Sequence, residues 1–303
     1  MPSVWTTTKR LAIATGKDVI EDDVPSLSAA IAYYTVFSLP PLLVVIVAVA
    51  GAVFGAERVE NAIIDQMGGL VGPSAGEAVR DMVKNAGDLG TGVGAKLAGL
   101  AALLFGATGA FTQIQKALNR AWEVEPDSGG LLSVVVKRLL SFGMVLTIAF
   151  FLLVSLVVSA GLTALGGAAE SVVGGGVAGW ILQVANVVVG LSVVAALFAV
   201  LFKTLPDAEV AWRDALVGGF ATAVLFTIGK TLIGLYLGTA NPGSAFGAAG
   251  SLALILVWIY YSALIVLVGA EFTQQWADRM GEGIGTEDDD VHPVAKPREP
   301  APY

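Results

Sequence analysis

The stretch Ala215 to Leu237, ALVGGFATAVLFTIGKTLIGLYL, decides the fold of this chain, and Lys230 is its single charged residue. As a helix these residues extend about 35 Å, enough to cross the roughly 30 Å hydrocarbon core of a bilayer. A cation at that depth costs about 2.5 kcal/mol or more, so intramembrane lysines are rare and usually functional. The stretch therefore predicts a membrane protein with a polar group among its apolar helices.

Composition supports the same class and excludes several chemistries. The chain is 55% hydrophobic and 14% charged, whereas soluble domains average about 25% charged residues. It has no cysteine, and its one histidine, His292, lies in an acidic, proline-rich tail. Without clustered metal ligands or a histidine base we expect no enzyme, metal or cofactor. Much of the net charge of −8 comes from that tail. A nucleic-acid partner would need a basic face, and we expect no such partner.

Apolar runs along the rest of the chain predict an all-α polytopic bundle of six transmembrane helices. We place them near residues 29–54, 95–117, 139–163, 177–202, 215–237 and 247–271. Between the first two, residues 57–90 predict one or two short amphipathic helices in the first extracytoplasmic loop. Residues 4–20 predict an amphipathic helix, either on an anionic leaflet or in solvent. The arc predicted to be apolar carries Val4, Trp5, Leu11, Ala12 and Val19.

The distribution of Lys and Arg predicts the orientation. These residues occur at the N-terminus and in the loops after the second and fourth predicted spans, whereas loops 164–176 and 238–246 have none. The long first loop departs from this distribution with Arg58, Arg80, Lys84 and Lys96, which its acidic residues balance. The positive-inside rule therefore places both termini in the cytoplasm. The predicted domains are a cytoplasmic amphipathic helix (1–27), a six-helix membrane domain (28–276) and a disordered acidic tail (277–303).

Polar residues at the depth of Lys230 suggest a binding layer. Lys230 lies about 22 Å along its span from the cytoplasmic end, and residues at the same predicted height are Gln183, Asn186, Ser155 and Ser159. One hypothesis is a hydrated cavity for an anionic or amphiphilic head group. The alternative is that Lys230 snorkels to lipid phosphate or hydrogen-bonds the two amides as packing.

Other polar residues stand within the predicted spans. Pro40 and Pro41 remove two backbone donors, which predicts a kink or break of the first span near Ser38. The remaining candidates are Tyr33, Tyr34, Tyr260, Tyr261 and Glu271, and core packing or a structural ion pair is the alternative to a functional role for them. We expect at least one tyrosine of the last span to face the bundle interior.

Four stretches together resemble one family of bacterial membrane proteins. They are SAAIAYYTVFSLPPLL (Ser28–Leu43), LNRAWEV (Leu118–Val124), Leu205-Pro206 with Trp212-Arg213, and GAAGSL (Gly247–Leu252) followed by WIYYSA (Trp258–Ala263) and GAEF (Gly269–Phe272). In this order they resemble the YihY/BrkB family, once labelled ribonuclease BN. Pro40 departs from the small residue usual there. The resemblance implies a six-span protein of the bacterial inner membrane and no settled activity.

Two functions are consistent with these residues. The leading hypothesis is a transporter or flippase-like handler of a lipid or other amphiphile, with membrane lipids as partners. The alternative is a non-transporting scaffold or envelope-integrity protein. Glycine pairs such as Gly175/Gly179 and Gly234/Gly238 let helices approach closely, either within the chain or between the subunits of a homo-oligomer.

Single cysteines introduced at Gly167 and Asp207 test the predicted orientation, because the natural chain has no cysteine. A membrane-impermeant thiol reagent applied to intact cells should label position 167 and not position 207. The reverse labelling pattern would contradict the predicted topology.

Overall fold

A computed structural model describes residues 4–71, 73–87, 109–124, 177–240, 250–281 and 284–286 of the chain. Within these ranges the chain is mostly helical. The helices are α1 (Val4–Glu21), α2 (Val24–Phe54), α3 (Ala56–Val71), α4 (Pro73–Gly87), α5 (Val177–Thr204), α6 (Trp212–Ala240) and α7 (Gly250–Met280). Residues 109–121 are also helical. Two short strands are β1 (Ala208–Val210) and β2 (Ile284–Thr286).

Three of the described helices are long and apolar enough to cross a membrane. The candidate spans are Gln183–Thr204 in α5, Trp212–Tyr236 in α6 and Leu252–Met280 in α7. They confirm the helices predicted from the last three apolar runs of the sequence. The run 29–54 lies within α2. The predicted spans 95–117 and 139–163 lie, apart from residues 109–117, outside the described residues, so the total of six remains a prediction.

Helix α2 runs without interruption from Val24 to Phe54, so the predicted break at Ser38, Pro40 and Pro41 is wrong. Two prolines remove only the two bonds that their own N–H groups would have made. Every other backbone group at membrane depth still needs an internal partner, which favours a continuing helix. Ser38 is buried, and its hydroxyl donates a 2.8 Å hydrogen bond to the carbonyl of Thr35.

A glycine turn folds the short helices α3 and α4 back onto α2. Gly55 has a φ of 91°, which side chains rarely adopt, and its N–H bonds the carbonyl of Gly51 at 2.9 Å. The apolar faces of the three helices then bury Leu43, Ile64, Val79 and Val83 together. Two amphipathic helices therefore follow α2, as the sequence predicts.

The chain forms two compact units. The terminal unit comprises Met1–Asp22, Leu118–Leu225 and Val268–Tyr303, and the central unit comprises Asp23–Ala117 and Phe226–Leu267. The core of the central unit is formed by Val36, Leu254 and Ile255, with Met67, Met82 and Ile233 packed against them. Helices α2, α3, α4, α6 and α7 all contribute to this core.

In the terminal unit, α6 and α7 approach closely through two reciprocal Gly–Thr contacts. A Cβ added at Gly218 would lie 2.7 Å from the Cβ of Thr273, and one added at Gly269 would lie 2.8 Å from the Cβ of Thr222. Each threonine donates its hydroxyl to the glycine carbonyl four residues earlier, at 2.7 Å for Thr222 and 2.6 Å for Thr273. Both hydroxyls are thus satisfied within their own helices, and only glycine fits opposite each threonine.

The tail after α7 is more ordered than the sequence predicts. The prediction of disorder from residue 277 is wrong for its first residues, because α7 continues to Met280 and β2 pairs with β1 in antiparallel register, Val210 opposite Ile284. The pairing satisfies backbone groups of both segments, and β1 is buried at Ala208 and Val210. Residues from 287 onward lie outside the described residues.

Helix α1 is present, but it buries a different face from the predicted arc. Leu11 is buried, whereas Ala12 is exposed and Val19 is half-buried. The stripe that α1 buries consists of Leu11, Thr15, Asp18 and Asp22. The prediction counted apolar residues only, whereas polar bonds to distant residues set the rotation of this helix.

We predict that Gly218→Ala lowers the melting temperature of the protein in detergent. The added methyl overlaps Thr273, and overpacking of this kind costs about 1–3 kcal/mol. The matched control is Gly190→Ala on α5, because a Cβ at Gly190 meets no atom within 4 Å. Equal melting temperatures for the two variants would contradict the Gly–Thr contact.

Candidate functional site

Lys230 lies on the exposed surface of α6 and is not packed within the central unit. The preceding residue, Gly229, faces α7: a Cβ there would lie 2.5 Å from Cδ1 of Ile265 and 3.0 Å from the ring of Tyr261. One residue turns an α-helix by about 100°. The contact at Gly229 therefore directs Lys230 away from α7, onto a face shared with Thr227, three residues earlier and also exposed.

Two exposed aromatic side chains mark the ends of this candidate span. Trp212 is 55% exposed at its start and Tyr236 is 54% exposed at its end. Trp and Tyr favour the two membrane–water interfaces. Lys230 is six residues from Tyr236, about 9 Å along the helix axis. An extended lysine side chain covers much of that distance, so its ammonium can reach the head-group layer.

The predicted polar layer around Lys230 is only partly within the described residues. Gln183 is exposed on α5, but it belongs to the terminal unit whereas Lys230 belongs to the central unit. The side chain of Asn186 and both Ser155 and Ser159 lie outside the described residues. A shared site of Lys230 with these residues thus stays a prediction.

The aromatic residues of α2 form an exposed cluster. Tyr33 and Phe37 have ring centroids 4.9 Å apart, and Tyr33 and Tyr34 meet edge to face at 5.6 Å. Tyr34 also covers Gly109, where a Cβ would lie 2.7 Å from its ring. Tyr33 and Phe37 are 58% and 63% exposed, so this face of α2 presents aromatic surface outward.

The two tyrosines of α7 are both half-buried. The ring of Tyr261 packs on α6 at Gly229, next to Lys230 in sequence. The close approach at this glycine is what brings an aromatic ring beside the backbone that carries the lysine.

Buried polar side chains concentrate in the terminal unit, and among them the sequence pointed only to Glu271. They include Asp18, Asp22, Asn119, Asp214, Glu271 and Gln274. Arg120 donates from Nε to Oδ1 of Asp22 at 3.2 Å. Gln275 donates to the carboxylate of Asp18. The partners come from distant parts of the chain, so local sequence patterns carry no signal for them.

Asn119 and Asp207 form a reciprocal pair that joins the segment before Trp122 to the loop after α5. The Nδ2 of Asn119 donates to Oδ2 of Asp207 at 2.8 Å, and the backbone N–H of Asp207 donates to Oδ1 of Asn119 at 2.9 Å. Beside this pair, the buried rings of Trp122 and Phe202 meet edge to face at 5.6 Å. Two of the stretches that carry the family resemblance therefore meet here.

Glu271, one of the polar candidates from the sequence, is fully buried. Helix α7 continues nine residues beyond it, to Met280, so Glu271 stands about 14 Å inside the helix. Asp214, in the first turn of α6, is also fully buried, where the helix dipole favours its negative charge. Arg120, in the same unit, forms an ion pair with Asp22.

Within the described ranges, no three His, Asp or Glu side chains gather into a group that could hold a metal ion. The terminal unit offers bonded carboxylates and amides, which stabilise its own segments. Lys230 offers an outward cation at membrane depth, which suits an anionic ligand.

We predict that Asn119→Ala lowers the melting temperature, because it removes both bonds to Asp207 and leaves part-buried polar atoms unsatisfied, at a cost of about 1–3 kcal/mol. The control is Thr204→Ala, which removes one exposed hydroxyl that bonds the carbonyl of Val200 at 2.8 Å. A melting temperature for Asn119→Ala no lower than that of the control would show that the pair contributes little.

Comparisons with known proteins agree with the resemblance seen in the sequence. The family model described as "Virulence factor BrkB" matches residues 15–291. A UPF0761 membrane protein of Pseudomonas paraeruginosa is 32% identical over 261 residues, which cover 83% of this chain and 59% of that protein. Another, from Rhodospirillum centenum, is 33% identical over 82% of this chain and 53% of its own length.

A third relative, the UPF0761 membrane protein of Photobacterium profundum, is 29% identical over 89% of this chain and 83% of its own length. The chain thus spans little more than half the length of the Pseudomonas and Rhodospirillum relatives. No solved structure matches it significantly. The family match over most of the chain shows that this protein belongs to the BrkB family of membrane proteins.

Proposed function

We propose that this protein binds and moves an anionic lipid or similar amphiphile across or within the bacterial inner membrane, with Lys230 holding the head group. The observation that carries the proposal is the exposed position of Lys230 on a candidate membrane span. A cation at that depth is costly unless it meets an anion or water. Lipid phosphate is the anion that a phospholipid membrane presents in the head-group layer, which the ammonium of Lys230 can reach.

The surroundings of Lys230 support an amphiphile rather than a small ion. Ile228 and Leu232, two positions before and after Lys230, are 54% and 58% exposed. They point to a different side of the same helix, where they offer apolar surface to acyl chains. The hydroxyl of Thr231 donates to the carbonyl of Thr227 at 3.0 Å. The ammonium is therefore the strong donor on this part of α6, and an acceptor with a negative charge suits it best.

The proposed orientation has six spans and both termini in the cytoplasm. A contact within the terminal unit supports it: Nη1 of Arg279, near the end of α7, donates to the backbone carbonyl of Arg10 on α1 at 3.3 Å. The first and last described helices therefore meet at one end of this unit. A chain whose ends meet on one side of a membrane crosses it an even number of times.

The alternative is a scaffold that does not transport. The Gly–Thr contacts favour it, because two helices that fit only through glycine at both positions have little freedom to slide. Proteoliposomes with a fluorescent phospholipid separate the two functions. A transporter accelerates movement of the lipid between leaflets, whereas a scaffold binds lipid and leaves that rate unchanged.

We predict that Lys230→Met reduces retention of anionic phospholipid in native mass spectrometry, by about tenfold or more, since a charge-assisted hydrogen bond contributes about 1.5–3 kcal/mol. Lys230→Arg should keep part of the retention, because the charge remains while its geometry changes. The melting temperature should not fall, because the side chain is exposed.

The control is Lys84→Met, which removes an equivalent exposed charge from α4, outside the candidate spans. It should retain phospholipid at the level of the natural chain. Full retention by Lys230→Met, with the protein folded and inserted at normal levels, would contradict the proposal.

A further inference from the structure

The rotation of α1 about its axis is fixed by polar contacts at its buried stripe, defined above as Leu11, Thr15, Asp18 and Asp22. Asp22 accepts from Arg120 at 3.2 Å, and Asp18 accepts from Gln275 on α7. The stripe follows spacings of four, three and four residues, which keep one helical face against the protein. Thr15, Asp18 and Asp22 are all under 9% exposed.

The opposite face of α1, which we name the outward stripe, consists of Lys9, Ile13, Gly16, Lys17 and Ile20. Its two isoleucines are 61% and 79% exposed, and both lysines are exposed. A Cβ at Gly16 would meet no atom within 4 Å. Ile13 and Ile20 are seven residues apart and therefore lie on one side of the helix. This part of the structure leaves two large apolar side chains uncovered between cations.

The charge of this surface is opposite to that of the chain. Lys9, Arg10 and Lys17 are exposed on α1, against one exposed carboxylate, Glu21, which pairs with Lys17 at 3.5 Å. The chain as a whole carries −8. The acidic residues Asp18 and Asp22 are turned into the protein. The local surface is thus basic within an acidic protein.

The level of α1 relative to the membrane follows from its contacts. Gln275 and Arg279, which contact α1, lie in the last turns of the candidate span Leu252–Met280. In the same unit, Trp212 and Arg213 are exposed at the start of α6, a pairing typical of the membrane–water interface. Helix α1 therefore lies where membrane-crossing helices of its own unit end.

We propose that the outward stripe of α1 lies on an anionic lipid leaflet, with Ile13 and Ile20 inserted at the head-group boundary and Lys9, Arg10 and Lys17 paired with lipid phosphates. An apolar stripe flanked by cations is the pattern by which helices bind such surfaces. The buried stripe simultaneously holds α1 to the ends of α7 and of the segment 118–124. The outward stripe does not include Lys230, so this proposal is independent of the proposed function.

The test uses the full chain in lipid nanodiscs, with single cysteines labelled by an environment-sensitive fluorophore. Ile20→Cys reports on the outward stripe, and Ala12→Cys is the control, because Ala12 is exposed on the same helix about 80° away from Ile20. In discs of phosphatidylcholine with phosphatidylglycerol, the label at 20 should shift to shorter wavelength and be quenched by spin-labelled lipid. The label at 12 should change less.

A charge variant separates insertion from simple proximity. Lys9→Gln with Lys17→Gln should lower the ratio of inserted to free label by about fivefold for each charge removed. The matched control is Arg80→Gln with Lys84→Gln on α4, where both residues are exposed. Equal emission at position 20 in discs with and without phosphatidylglycerol would overturn the proposal. So would a label that remains in water in both lipids, which would leave the stripe to a protein partner.

Discussion

The close approach of α6 and α7 is the constraint on which the rest of the structure depends. Apolar helices gain little free energy by exchanging contacts with lipid tails for contacts with each other, so they associate by tight packing at small residues. Here Gly218 and Gly269 each receive a threonine methyl, and Gly229 receives Ile265 and Tyr261. Within the central unit, the contact at Gly229 directs the side chain of Lys230 outward from α6.

The sequence predicted where the described membrane helices lie, but it did not predict which of their faces make contacts. Long apolar runs were enough to locate α5, α6 and α7, because length and apolarity decide whether a segment can cross a bilayer. The same runs do not show which glycine lies in a contact between helices. A Cβ added at Gly234 would meet no atom within 4 Å, whereas Gly218 packs directly against Thr273. The break predicted at Pro40 and Pro41 is absent. The prediction counted the backbone donors that the two prolines lack, but not the further backbone hydrogen bonds that would be lost by opening a helix in an apolar environment.

The buried polar cluster of the terminal unit could not have been predicted from one sequence. Its pairs join residues 88, 98 and 257 positions apart: Asn119 with Asp207, Asp22 with Arg120, and Asp18 with Gln275. Each residue alone resembles an ordinary loop or helix-end polar group. These bonds tie α1 to the end of α7 and to the segment before Trp122, and they turn α1 so that its basic and apolar side faces outward.

Among the described residues, the terminal unit pairs several of its buried polar groups with one another, while Lys230 of the central unit is exposed on a candidate membrane span. The central claim is that Lys230 meets a lipid phosphate. Solid-state NMR of the protein in anionic bilayers, measuring nitrogen-to-phosphorus dipolar coupling from lysine, tests it most directly. The account predicts the coupling of a hydrogen-bonded ammonium–phosphate pair, with about 2.8 Å between nitrogen and phosphate oxygen, and the contribution of Lys230 to it disappears in Lys230→Met. A coupling spectrum unchanged by that substitution would contradict it.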